Sequence, residues 1–128
     1  MPLRNGMFTF NNPYSSEKNK NGVMFTIDNH EIWDLKKAIA EFITPRLVAF
    51  RACVVAGEMT CIPTWVAPAG DNMDEVQLRQ TWADILEEMI KGFEYYAGYK
   101  SGDTWEAVEQ QKQKSLALFY QYYDHLWD

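Results

Sequence analysis

The sequence predicts a mainly α-helical protein built from three helices. Apolar residues recur at helical intervals in three runs, 34–56, 75–99 and 104–127. Helix-capping residue types precede each run, and glycine-containing breaks follow the first two. With 128 residues, the chain is long enough for one domain with a substantial core. We therefore expect a single domain over 1–128, with an N-terminal arm at 1–30 and a helical core at 31–128.

The arm has the pattern of strands rather than of helices. Its apolar residues alternate with smaller or polar ones at Phe8, Phe10, Phe25 and Ile27. A polar stretch with an Asn21-Gly22 turn signal lies between them. These features predict a β-hairpin-like arm that lies on the helices, because a lone hairpin is marginally stable without a surface to pack on.

The first helix is expected to begin near Asp34, or earlier at Asp28 with Glu31 completing a capping box. Pro45 lies inside the helix and should kink it rather than end it, since one backbone hydrogen bond is lost there. Gly57 is the expected stop. The predicted core-facing residues are Leu35, Ile39, Phe42, Ile43, Leu47, Phe50, Cys53 and Val54.

A loop rich in proline and glycine, 57–73, separates the first two helices. Its apolar residues Ile62, Trp65 and Val66 indicate that it folds back on the core. The second helix begins after Asp71 or Asp74 and ends before Ser101-Gly102. Its core-facing residues are predicted to be Leu78, Trp82, Ile85, Leu86, Met89, Ile90, Phe93 and Tyr96.

The third helix is predicted from the capping-box pattern at 103–106. It continues through Val108, Leu116, Phe119, Tyr123 and Leu126. Between residues 118 and 127 its apolar and aromatic residues cover an arc of about 200°, wider than one core face requires. Either the helix lies between other elements, or part of it faces another subunit. We predict a homo-oligomer with Tyr120, Tyr122 or Trp127 in the contact, because Tyr and Trp are enriched at interfaces.

Composition excludes several function classes. Twelve Lys and Arg against eighteen Asp and Glu give a net charge of −6, so extended nucleic acid is not an expected partner. No apolar run has the length of a membrane span. The two cysteines, Cys53 and Cys61, indicate reduced thiols in a cytosol. No phosphate-binding, catalytic or metal-binding spacing occurs, so we expect neither an enzyme nor a bound metal or cofactor.

Arg46 lies near the middle of the predicted apolar arc of the first helix. A buried guanidinium must be paired, because its desolvation costs several kcal/mol. Two interpretations remain open: a structural role, as an ion pair with an acid from another helix or as a side chain that snorkels to solvent at the kink, or a site for a small anionic ligand. Tyr95 and Tyr99, on the second helix and outside its core arc, are further candidates for contact with a partner.

Four segments carry a resemblance to a known group of proteins: W-D-L at 33–35, F-I-T-P-R-L at 42–47, W-A-D-I-L-E-E-M-I-K-G-F-E at 82–94 and S-L-A-L-F-Y-Q-Y-Y-D-H-L-W at 115–127. Together they resemble a family of small, uncharacterised proteins of tailed bacteriophages, over roughly residues 32–128. The loop at 57–73 departs from the family pattern by its length. The resemblance implies a phage gene product acting in the infected cell, and its motifs include Trp33, Arg46, Trp82 and Glu94.

These observations favour a non-catalytic phage accessory protein in the host cytoplasm. We expect it to antagonise a host defence by binding, either by blocking a host protein or by sequestering a small nucleotide signal. The alternatives are a structural or morphogenesis protein of the phage particle, and an enzyme with a cryptic site near Arg46 and Glu94. The predicted binding residues are Arg46, Trp33, Glu94, Tyr95, Tyr99, Tyr120 and Trp127.

Overall fold

The computed structural model describes residues 12–15, 26–68, 70–102 and 104–128, and these form a mainly α-helical protein. The described α-helices are α1 (Asn29–Trp33), α2 (Leu35–Val55), α3 (Glu75–Ala97) and α4 (Trp105–Tyr122). Short 3₁₀ helices cover Thr64–Val66 and Tyr123–His125. The predicted helical class is confirmed, whereas the count of three helices omitted the short α1. No strand occurs in the described ranges, and the predicted hairpin residues Phe8, Phe10 and Phe25 lie outside them.

The described residues divide into two compact units between Ile39 and Ala40, inside α2. In the first unit, the buried Asn12 connects two segments: its amide donates to the Ile27 carbonyl at 2.6 Å and to Asn29 Oδ1 at 3.2 Å. The Ile27 amide donates to the Tyr14 carbonyl at 2.9 Å. Residues 12–14 therefore lie along 27–29. The expectation of a single domain over 1–128 stays a prediction.

Both predicted starts of the first helix are used. Asp28 caps α1 with Glu31 in a capping box, and Asp34 then interrupts the helix with φ −132° and ψ 70°. Directly afterwards α2 begins, and it is continuous through Pro45. It ends before Gly57, whose φ of 72° is the left-handed conformation that glycine adopts most easily. The predicted kink at Pro45 stays a prediction.

Part of the predicted core face of α2 was wrong. Leu35, Ile39 and Phe42 are about half exposed, at 52, 50 and 57%. The buried side of the helix is instead formed by Ala40, Thr44, Leu47 and Val54. Small side chains at Ala40 and Thr44 suit a close helix contact, and Thr44 Oγ1 satisfies its own polarity by donating to the Ala40 carbonyl at 2.6 Å. The apolar residues of the sequence define a broad arc on α2, and only one side of that arc is buried.

The core of the second unit is centred on α3, as predicted. The eight predicted core-facing residues of this helix are all buried or half-buried. The loop also folds back as expected, since Val66 is buried and Trp65 packs edge-on against Trp82 with ring centroids 5.5 Å apart. Ile62, predicted to join them, is 41% exposed, whereas the neighbouring Pro63 is fully buried.

The end of α3 differs from the prediction by two residues. Gly98 adopts φ 80°, and its amide donates to the Tyr95 carbonyl at 3.2 Å. The Tyr99 amide donates to the Glu94 carbonyl at 3.0 Å. This left-handed glycine cap ends the helix at Ala97, before the predicted Ser101-Gly102 break.

Candidate functional site

Helix α4 has two chemically different sides. Its inner side packs on α3. Its outer side and the segment that follows it carry exposed large side chains, which we call the aromatic face: Leu116 and Tyr120 on α4, Tyr123 in the 3₁₀ helix, and Trp127 after it. Their exposed fractions are 40, 88, 60 and 64%. At 100° per residue, the first three lie within an arc of about 60°. Large exposed apolar groups that lie together mark interaction sites more often than scattered ones do.

A groove runs beside the aromatic face. It has a volume of about 770 Å³ and is lined by Leu116, Phe119, Tyr120, Gln121, Tyr123 and Asp124. The Phe119 ring forms its inner wall and packs edge-on against Tyr123 at 5.4 Å and against Phe93 of α3 at 5.1 Å. Phe119 therefore connects the inner wall of the groove to the core, and the exposed Tyr120 forms its outer edge.

A close helix contact holds α4 in this orientation. Ser115 is fully buried opposite Gly92, and a Cβ atom on Gly92 would collide with the Ser115 side chain. Ser115 Oγ donates to the Glu88 carbonyl at 2.6 Å, and Gln111 Nε2 donates to the same oxygen at 3.1 Å. These contacts fix the rotation of α4 about its axis, so the aromatic face points away from α3.

An ion pair also joins the two helices. The Glu88 carboxylate lies 3.0 Å from Lys114 Nζ on α4 and 3.2 Å from Lys91 Nζ on α3. The hydrogen bond from Lys114, together with Lys91, holds the pKa of the Glu88 carboxyl below its ordinary value against the opposing effect of desolvation. The sequence alone does not indicate this pair, because Lys114 comes from another helix.

The end of the chain beyond α4 is attached to the folded-back loop. The His125 ring stacks on Trp65 with centroids 4.5 Å apart and planes 8° apart. The Asp128 side chain accepts from the Cys61 amide at 3.0 Å and from Thr60 Oγ1 at 3.1 Å. The Cys61 hydrogen bond lowers the pKa of the Asp128 carboxyl. Trp127, between these two anchors, keeps its side chain in solvent.

Tyr122 was predicted as a possible interface residue, but it lies on the inner side of α4. It is half-buried, with its ring 5.5 Å from that of Trp82. Of the three residues predicted for the contact, Tyr120 and Trp127 are exposed and Tyr122 is part of the packing around the core. The apolar arc of about 200° predicted for residues 118–127 thus divides into an inner part, which packs around the core, and an outer part, which is exposed.

A second feature, the charged cleft, lies between α2 and α3. Its volume is about 390 Å³, and its lining is Val48, Arg51, Ala52, Glu87, Ile90, Lys91, Glu94 and Lys100. Arg51 is fixed by donation from Nε to the Ala83 carbonyl at 2.9 Å, and its Nη2 lies 3.7 Å from Glu87. Glu94 forms no ion pair within the described part of the chain.

Two other predicted residues lie near this cleft. Tyr95 is half-buried, and Lys100 Nζ lies 5.5 Å from the centre of its ring, within cation–π range. Tyr99 follows the glycine cap and is 58% exposed. Glu94, Tyr95 and Tyr99 are therefore neighbours at the end of α3, as their sequence positions require.

Arg46 does not have the buried position that the sequence predicted. It is exposed, its Nη1 donates to the Phe42 carbonyl at 2.9 Å, and its guanidinium carbon lies 3.8 Å from the Phe42 ring centre. The argument that a buried charge requires a partner does not apply to it. The charged cleft contains Glu94 but not Arg46 in its lining, so the structure does not join these two residues in that cleft. Trp33 lies in the first unit, where it is half-buried in α1.

Sequence reasoning missed several residues of these two features. Leu116 and Tyr123 were placed on the third helix but were not named as contact residues, although their spacing with Tyr120 follows one side of a helix. Arg51, Lys91 and Lys100 were not singled out, because charged residues on separate helices carry no common spacing in the sequence. Only the packing of α2 on α3 brings them together.

Comparisons with protein-family models, with curated proteins and with solved structures find no match to this chain. The resemblance to phage proteins therefore stays a prediction of the sequence. Among the described residues, no helix has the length and apolar character needed to cross a membrane. Within the same ranges, no three His, Cys, Asp or Glu side chains are grouped so that they could hold a metal ion.

Proposed function

We propose that this chain is a non-catalytic binding protein and that the aromatic face of α4 is its protein-contact surface. The observation that carries the proposal is the exposure of Tyr120 on the outer side of α4, and of Tyr123 and Trp127 directly after it, while the inner side of α4 is fixed to the core. Covering apolar surface releases about 25 cal/mol per Å². Tyr and Trp also keep a polar group for the partner, and they are the residue types that dominate interface energies.

The setting of this binding is proposed from the resemblance to phage proteins. We propose an accessory protein that acts in the cytoplasm of the infected bacterium and antagonises a host defence. Two targets are compatible with this role: a host protein that is blocked, or a small anionic signal that is sequestered. The charged cleft supports the second target by a surplus of one positive charge, because its lining holds the cationic Arg51, Lys91 and Lys100 against two carboxylates, Glu87 and Glu94.

A second candidate function is a structural or morphogenesis protein of the phage particle. The aromatic face also favours this function, because assembly repeats one contact many times. The two functions differ in where the protein is found. A virion component co-purifies with particles, whereas an accessory protein is made early and stays in the lysate supernatant.

Site-specific photo-crosslinking tests the contact surface. A photoreactive phenylalanine analogue replaces Tyr120, and in a matched control it replaces Trp105. Trp105 is 76% exposed and lies on the same side of α4, about 22 Å from Tyr120 at 1.5 Å per residue, so the pair of positions compares the two ends of one helix side. Each variant is irradiated in bacteria that produce the full chain, with and without phage infection.

We expect protein adducts from position 120 at several times the yield from position 105, with the same adducts after repeated purification. Mass spectrometry of the adduct identifies the partner. A yield from position 120 no higher than that of the chain without a photoreactive residue would remove the aromatic face from any protein contact and contradict the proposed function.

A further inference from the structure

We propose that the occupant of the aromatic face is a second copy of this chain, paired antiparallel along α4. This inference rests on the proposed function, since it names the partner of the same surface. It is argued from the spacing of the face, from its shape and from the charges at its two ends.

The spacing is that of a helix-pairing seam. The intervals between Leu116, Tyr120 and Tyr123 are four and three residues, and Trp127 follows four residues later, beyond the 3₁₀ helix. Apolar residues at alternating three- and four-residue intervals form the contact line when two helices pack side by side. The first three of these positions belong to α4 and the 3₁₀ helix that continues it, so they lie along one line on the surface.

The shape of the face is self-complementary. Tyr120 is 88% exposed and protrudes, while the groove beside it has apolar walls at Leu116 and Phe119. A two-fold contact requires a patch that carries both a projection and a matching depression, because the same surface is presented by both copies. In the proposed pair, Tyr120 of each copy enters the groove of the other, against Leu116.

The charges at the two ends of the aromatic face favour an antiparallel pair of α4 helices over a parallel pair. Lys112 lies four residues before Leu116, and Asp124 lies four residues after Tyr120. An antiparallel pair with its two-fold axis between Leu116 and Tyr120 places Lys112 of one copy near Asp124 of the other. A parallel pair would instead bring the two Asp124 carboxylates together, which is unfavourable. In the single chain the Lys112 ammonium lies 3.5 Å from Glu109 and 4.7 Å from the ring centre of Tyr96 on α3, so it must turn away from these contacts to reach Asp124 of the second copy.

The available area indicates the strength of the contact. Aromatic side chains bury about 150–250 Å² each, so the exposed parts of Tyr120, Tyr123 and Trp127 offer on the order of 400 Å² per copy. A stable interface of standard size buries about 800 Å² on each partner. The groove walls and the flanking side chains must supply the remainder. The expected assembly is therefore a dimer in equilibrium with monomer at micromolar concentration.

Sedimentation velocity of the full chain, from low micromolar to high micromolar concentration, tests the proposal. We expect a monomer–dimer equilibrium for the wild type and for Trp105→Ser, the control for an exposed aromatic outside the face. Tyr120→Ser should raise the dissociation constant about tenfold or more, as loss of a central aromatic contact does. Circular dichroism confirms that each variant keeps its helices. A wild type that sediments as a monomer at all concentrations would overturn the proposal.

A charge exchange tests the direction of pairing. Asp124→Lys and Lys112→Glu should each weaken the dimer, and the double variant should recover most of the wild-type affinity. If the two losses simply add in the double variant, the antiparallel arrangement is excluded. The two proposals fail separately: a monomer whose position 120 still cross-links to another protein keeps the proposed function and loses the second-copy partner.

Discussion

Helices α3 and α4 carry similar proportions of large apolar side chains, yet they use them differently. In α3 the core arc is covered, and Leu86 and Met89 are 0% exposed. In α4, adjacent positions divide between the core and the solvent: Phe119 is half-buried and Tyr120 is 88% exposed. The difference arises from where each helix lies in the fold. Helix α3 contacts both α4 and the 3₁₀ helix Thr64–Val66. Helix α4 packs on α3 through its inner side only.

This difference teaches how a binding surface can coexist with a stable core. The inner side of α4 contributes packing and polar contacts to α3, through Ser115 and Gln111, while the outer side contributes little to the folded state of one chain. Changes on the outer side should therefore alter association, and changes at the α3 contact should alter folding. The following predictions test this separation, beginning with the largest expected effect.

Trp82→Ala and Tyr120→Ala should show the largest difference in the free energy of unfolding. Trp82 is 2% exposed and contacts the rings of Trp65, Tyr122 and Phe50, so its truncation should lower the free energy of unfolding by about 3–5 kcal/mol. Tyr120→Ala should change it by less than about 0.5 kcal/mol, as is usual for surface positions. Urea denaturation at low protein concentration measures both. A comparable loss in the two variants would contradict the division of α4 into two sides.

Gly92→Ala tests the close contact that orients α4. The new methyl group would meet the Ser115 side chain and the Gln111 carbonyl, so α4 must shift, at a cost of about 1–3 kcal/mol. Adding Ser115→Gly removes one obstacle, and the double variant should lose less than the two single variants added together. Thermal unfolding of all four proteins completes the cycle. Strict additivity would show that the two positions do not share this contact.

Glu88→Gln should lower the free energy of unfolding by about 1 kcal/mol at neutral pH, the smallest loss expected at the contact between α3 and α4, by weakening the links to Lys114 and Lys91. Because the folded pKa of Glu88 is lowered, its contribution is fully present above the unfolded pKa. It is lost as pH falls through the lower folded pKa. The wild type should therefore lose more stability than Glu88→Gln between pH 6 and about pH 3.

The matched control for this change is Glu87→Gln, the neighbouring and more exposed carboxylate beside Arg51. Its acid profile should follow that of the wild type more closely than the Glu88→Gln profile does. Urea midpoints measured across the acidic range make the comparison. Identical slopes for Glu88→Gln and the wild type would show that the ion pair between α3 and α4 adds no stability.

The helical fold was largely predictable, and the exposed surface was predictable only in part. Capping residues such as Asp74 and the long period of α3 act through neighbours in the sequence, so local pattern was sufficient for them. Tyr120 and Trp127 were predicted as contact residues, and they are exposed. Phe42 and Arg46 were assigned to the core and are exposed, because apolar periodicity does not state which side of a helix another element covers.

The sequence by itself determined the helical class, the starts of α2, α3 and α4 to within a residue or two, the fold-back of the loop and the core face of α3. These depend on capping, on helical period and on the burial of the most apolar arc. Tertiary structure alone decided that the Ser115 side chain packs directly against Gly92, that Glu88 is paired with Lys114, and that Arg51 and Glu94 line one cleft. The physical reason is that each of these contacts joins residues from different helices, and its geometry follows from how the helices pack.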